Sequence, residues 1–180
     1  MPQAPTPGPA NESGAPSVNL PTTPTNSDMP SFEDQAFLRN ALEDDVAEEE
    51  MGQLAAQKSQ SDDVKQFGQK IAQIHEQLTN QLKPVAQRLG VSEPRKPSKK
   101  DRQEIAKMQT LSGAEFDTAF IQAMMKTQKS DLKDFKNEAH SGQTPAVQQL
   151  AKLDEPVLSQ HLQVLEKLAQ AHNVTVATKN

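Results

Sequence analysis

The stretch Gly90-Val91-Ser92-Glu93-Pro94-Arg95-Lys96-Pro97-Ser98, running on through a polar segment to Thr110-Leu111-Ser112, decides the architecture of this chain. A long helical pattern stops at Gly90, a residue suited to the left-handed position that ends a helix. Pro94 and Pro97 break the chain, and Ser98 to about Thr110 reads as a short polar helix. Ser112 then caps the next long helix, with Glu115 three residues on completing a capping box and Asp117 adding charge to its first turn. About 22 residues therefore separate two long helical patterns.

Each side of this stretch holds two such patterns. Upstream, a first helix runs from Ser31 or Phe32 to Lys58, with Ser31 as its N-cap and Asp34 closing a loose capping box. Ser61-Asp62-Asp63 starts the second, whose apolar stripe Val64, Phe67, Ile71, Ile74, Leu78, Leu82, Val85, Leu89 advances by threes and fours. Pro84 lies inside it and should bend it. Downstream, the third long helix places Phe116, Phe120, Met124, Leu132, Phe135 and Ala139 in the core and ends at Ser141-Gly142. The fourth opens with Thr144 as N-cap and Pro145 in the first position. It continues through Val147, Leu150, Val157, Leu165 and Leu168 to about His172, with Pro156 as an internal kink.

Connection lengths then set the topology. A few residues join the first helix to the second and the third to the fourth, so each pair is an antiparallel hairpin. A helix of about 28 residues is roughly 42 Å long. Extended chain plus a short helix is enough for residues 90–112 to run that length. The expectation is an all-α, ferritin-like antiparallel four-helix bundle over residues 32–174, with one long crossover containing a short helix.

Residues 1–31 hold eight of the thirteen prolines, set among Ser, Thr, Asn and Gly. Such a segment buries too little to offset its ordering entropy, so it reads as a disordered linker, or as a polyproline-type ligand. Residues 175–180 read as a flexible C-terminus. The net charge of −5, without Trp or Tyr and with only six Phe, gives no basic footprint and no stacking platform for nucleic acid. The mean hydropathy is −0.75, and no stretch reaches the roughly 20 apolar residues of a transmembrane helix. Cysteine is absent, which excludes disulfides, thiolate metal sites and cysteine nucleophiles. No basic-then-apolar signal peptide is present. Met1 stands directly on the proline-rich arm, as it would if a signal had been replaced, so the expected location is periplasmic or exported.

The chemistry concentrates in the apolar stripes. On the first helix the stripe reads Phe37, Ala41, Asp44, Glu48, Met51, Ala55, with two carboxylates inside it. His75 flanks the stripe of the second helix, Gln128 falls between Met124 and Leu132 on the third, and Asp154 and His161 interrupt the fourth. Counted from the hairpin turns near Ser61 and Gln143, Glu48, His75, Gln128 and His161 each lie about 20–27 Å along the bundle, close to its middle. Buried carboxylates and imidazoles need partners. One reading is a divalent-metal site with Glu48, His75 and His161 as ligands, and Asp44, Gln128 and Asp154 in or around the coordination shell. A second is a closed hydrogen-bonded layer that sets helix register. A third is a set of side chains exposed in a wet groove. His140 and His172, near helix ends, read as structural, and Glu49 and Glu50 as a solvated face.

The runs Phe37-Leu38, Ala47-Glu48-Glu49-Glu50-Met51-Gly52, Val64-Lys65-Gln66-Phe67, Leu111-Ser112-Gly113-Ala114-Glu115-Phe116-Asp117 and Pro156…His161 resemble an exported bacterial family, domain of unknown function 4142. The resemblance covers roughly Phe32 to Asn173. It implies a ferritin-like bundle in the periplasm or at the envelope, with no established activity. The chain departs from that family at Ile74, where an aspartate usually precedes His75, and at Gln128, where a histidine is usual. Ala72 and Leu158 occupy the positions where ferritin di-iron sites carry glutamate, so iron storage is not expected. The expected function is non-enzymatic binding or structure, with a weak or vestigial site for zinc, copper or iron. The alternatives are a metal-dependent redox or hydrolytic enzyme and a protein-interaction module. The expected partner is an envelope protein, and the chain a monomer or dimer.

Overall fold

Among the described residues, helix-forming runs bounded by breakers fold into five helices: α1 (Phe32–Lys58), α2 (Asp62–Arg88), α3 (Lys99–Gln109), α4 (Gly113–Ser141) and α5 (Pro145–Ala171). The structure, a computed structural model, describes residues 31–175. Of the expected linker at 1–31 all but Ser31, and of the expected flexible C-terminus at 175–180 all but Thr175, lie outside the described residues.

Residues 59–61 and 142–144 close the hairpins α1–α2 and α4–α5. α1 packs on α4, and α2 on α5. One core cluster joins Met51, Phe67, Phe120 and Leu165; the other joins Leu38, Leu82, Phe135 and Leu150. The first gathers the end of α1, the starts of α2 and α4 and the end of α5. The second gathers the opposite ends. The segment from Val91 to Met108 therefore travels from one end of the bundle to the other, as expected of the crossover, and α3 buries Ile105 and Met108 against α1 and α4. No described helix is long and apolar enough to cross a membrane.

Local chemistry explains most boundaries. The Ser31 hydroxyl accepts from the Asp34 N–H at 3.0 Å. Gly90, at φ 74°, ends α2 with Val91 N–H bonded to Ala86 C=O and Gly90 N–H to Gln87 C=O. Two capping expectations are corrected. Ser112 makes no side-chain cap bond, because the chain enters α4 through the left-handed Gly113, at φ 56°. Thr144 makes none either. Instead the carboxylate of Asp34 accepts from the Gln143 and Thr144 N–H groups at 3.1 and 2.6 Å, capping α5 from α1. Asp117, expected in the first turn, is buried and accepts from the Ser59 and Ser61 hydroxyls at 2.6 Å each, tying α4 to the α1–α2 turn.

Gly52 and Gly68 let α1 and α2 touch backbone to backbone. A Cβ on Gly52 would stand 2.6 Å from the Gly68 carbonyl oxygen, and one on Gly68 would stand 2.7 Å from that of Gly52. The expected stripes need four adjustments: Leu38 and Leu42 are buried where Phe37 is only partly so, Ile74 is partly buried, Leu132 is partly buried, and Leu158 replaces Val157 in the core. A helix buries a face about 100° wide, so a single line of threes and fours misses its second row.

Candidate functional site

Between the two apolar clusters every long helix contributes polar side chains to one level. On α1, Asp45 and Glu48 follow Leu42 and precede Met51; on α2, His75 separates Ile71 from Leu78. On α4, Gln128 and Asp131 separate Met125 from Phe135, and on α5 His161 separates Leu158 from Leu165. None of Glu48, His75, Gln128 and His161 exposes more than 4% of its surface, which excludes the wet-groove reading.

His75 stands at the centre. Its Nδ1 lies 2.8 Å from Asp45 Oδ1, and its Nε2 lies 2.7 Å from Glu48 Oε2. Thr79 Oγ1 donates to the other Asp45 oxygen at 3.3 Å. Gln128 Nε2 donates to both Glu48 oxygens at 2.9 and 2.8 Å. Burial alone would depress the His75 pKa, but the Glu48 charge and the bonds to Asp45 and Glu48 outweigh it and hold His75 well above its usual value. The imidazole is therefore a cation with both N–H groups aimed at carboxylates. Burial raises the Asp45 carboxyl, with His75 pulling the other way.

His161 is the contrast. Its ring lies 5.5 Å from that of His75, centroid to centroid, and neither nitrogen has a protein partner. Burial, reinforced by the charges of His75 and Lys70, pushes its pKa down to about 3, so it is neutral at physiological pH. On the α1–α4 side, burial and the Glu48 charge push Asp44 up to about 7, and Asp131 hydrogen-bonds to it. Asp131 itself is driven well above the carboxylate range by burial and by the Glu48 charge.

The expected residues thus separate into groups. Glu48, His75 and Gln128 touch; His161 stands against His75; Asp44 sits half-buried at the edge; Asp154 is buried on α5, with one carboxyl oxygen unpartnered. Asp45, Asp131 and Thr79 were not anticipated. Asp45 carries its own signal, standing four residues after Ala41 and three before Glu48. For a metal, a carboxylate and two imidazoles are a suitable donor set for zinc, copper or iron. Their arrangement fits less well: among the described residues no three His, Asp or Glu side chains converge as ligands, since Glu48 and His75 bind each other.

A profile for a domain of unknown function (DUF4142) matches residues 19–168. The chain belongs to this family. The crystal structure of a DUF305 fragment from Deinococcus radiodurans superposes on this DUF4142 chain with a TM-score of 0.68 and 15% identity. The overlap covers 78% of this chain and 98% of that one, and at such identity it shows a shared all-helical fold alone. No curated protein matches the chain.

Proposed function

We propose that this DUF4142 protein is a non-enzymatic bundle of the periplasm or envelope whose mid-bundle layer sets helix register and takes up a divalent cation weakly. Export is what the family resemblance implies, and the lack of cysteine accords with it. The observation that carries the cation reading is His161, whose two ring nitrogens lack a protein partner beside the Glu48–His75 pair. Glu48, His75 and His161 would hold the ion, which would supply Lewis-acid charge at that level. It would have to displace the His75 protons and part the 2.7 Å pair, so affinity is low and rises with pH. The dry packing of these side chains gives no support to a hydrolytic or redox enzyme reading, which needs an open coordination position reaching solvent.

Calorimetric titration with zinc, copper and iron salts tests this. The expected result is one-to-one binding weaker than about 1 μM, tighter at pH 8 than at pH 6, and lost in His161→Ala. Absence of binding, or binding indifferent to His161→Ala, would refute the cation reading and leave the register role.

A further inference from the structure

On the side of the bundle opposite α3, where α2 and α5 pack less closely than the two hairpins, lies a groove of about 630 Å³. Ile74, Leu78 and Pro84 form one wall, and Leu150, Leu153 and Val157 the other. The amides of Gln77, Gln81 and Gln149 belong to the same surface. Asp154 is the one ionisable residue of the lining. It is 2% exposed, and its Oδ2 has no hydrogen-bond partner. A buried carboxyl with an unmet oxygen is costly unless something else supplies a donor.

We propose that this groove binds a small amphiphilic cation, an apolar body carrying one ammonium group, with Asp154 as its counter-ion. The volume and the aliphatic walls suit a small ligand. Leu153, 48% exposed beside the groove, is apolar surface that such a body would cover. The lining offers no cation of its own, so the charge complementary to Asp154 must come from the ligand. Burial and the negative charge of Asp45 raise Asp154 to about 7, with His75 opposing. An incoming ammonium reverses that penalty by favouring the ionised form. A bare metal ion is a poor occupant, because a single carboxylate among aliphatic walls supplies little charge to offset the ion's dehydration. The groove does not involve Glu48, His75 or His161, so this inference stands apart from the cation reading of the layer.

Hexylamine, hexan-1-ol and hexanoate, titrated calorimetrically into the full chain at pH 7.5, share one apolar body and differ in the head group. The expected result is saturable one-to-one binding of hexylamine near or below about 1 mM, with the alcohol about tenfold weaker and hexanoate not bound. Asp154→Asn keeps the volume and should weaken hexylamine about tenfold while leaving hexan-1-ol unchanged. Ala146→Phe, which fills the groove, should abolish both. Equal affinity for amine and alcohol overturns the proposal, as does hexylamine binding that Asp154→Asn leaves undiminished or that survives Ala146→Phe. The ranking of the three ligands on the unaltered chain needs no variant, so it decides the matter even where Asp154→Asn fails to fold.

Discussion

Replacing His75 with leucine removes the only positive charge between Asp45 and Glu48 and leaves an apolar side chain of similar size. Both carboxylates then face a buried position without a counter-ion, Asp45 keeping Thr79 and Glu48 keeping Gln128. Breaking a buried pair by deleting one partner costs about 3–5 kcal/mol. The chain can limit that loss by protonating a carboxyl. For Asp45, which burial already raises, protonation at pH 7 from an ordinary value near 3.9 costs about 1.36 × 3.1, or roughly 4.2 kcal/mol. At pH 5 the same step costs about 1.5 kcal/mol. His75→Leu should therefore be about 4 kcal/mol less stable than the wild type at pH 7, and the gap should narrow to about 1–2 kcal/mol at pH 5. Urea unfolding followed by helical circular dichroism at both pH values measures it. A triple variant that also carries Asp45→Asn and Glu48→Gln should recover most of the pH 7 loss. A His75→Leu defect below about 1 kcal/mol, or one that does not change with pH, would refute the reasoning.

Gly68→Ala should destabilise by about 1–3 kcal/mol, because the added Cβ meets the Gly52 carbonyl at 2.7 Å and Ala55 at 2.8 Å, outweighing alanine's helix preference; a raised melting temperature would contradict that close approach. Asp117→Ala strips the Ser59 and Ser61 hydroxyls of their acceptor and should cost about 1–3 kcal/mol in urea unfolding, where a cost near zero would mean that the tie between α4 and the α1–α2 turn does not form. His161, held down to about 3, favours the folded state above the ordinary histidine value near 6.5, and that contribution is lost as pH falls from 6.5 towards 3. Asp44, Asp154 and Glu138, each raised to about 7, act oppositely: their contribution is present below about 3.8–4.5 and is lost as pH rises towards 7. His161→Leu should therefore flatten the acid side of the stability profile, and Asp154→Asn should flatten the fall between pH 5 and 7; melting curves across pH 3–8 that overlay the wild type in shape would contradict both.

Much of the fold was legible because helix ends are written locally. Gly90, Pro97 and Pro145 mark boundaries within two residues of those observed, and connection lengths alone separate two hairpins from a simple up-and-down bundle. The polar layer was legible as a level, since distances along a helix follow from residue counts. Its wiring was not. Whether Asp44 or Asp45 meets His75 depends on the rotation of α1 about its axis, and both lie on lines of threes and fours. The same ambiguity concealed Asp131 behind Leu132. Asp34 reads as closing the capping box of its own helix and Asp117 as a first-turn charge of its own, whereas both serve a neighbouring turn, a tertiary relation that no local pattern carries. Gly52 and Gly68 did leave a signal, because glycine in a helix interior is unfavourable unless two backbones meet there.

The account rests on one charged imidazole clasped by two carboxylates beside one neutral imidazole. Nitrogen-detected NMR of histidine-labelled protein, titrated from pH 4 to pH 9, reads the protonation of each ring nitrogen directly, and His75→Gln and His161→Gln assign the signals. The account predicts that His75 carries protons on both nitrogens at pH 8 and that His161 carries one down to pH 5. A His75 that loses a proton below pH 7, or a His161 that becomes doubly protonated near pH 6, would contradict it.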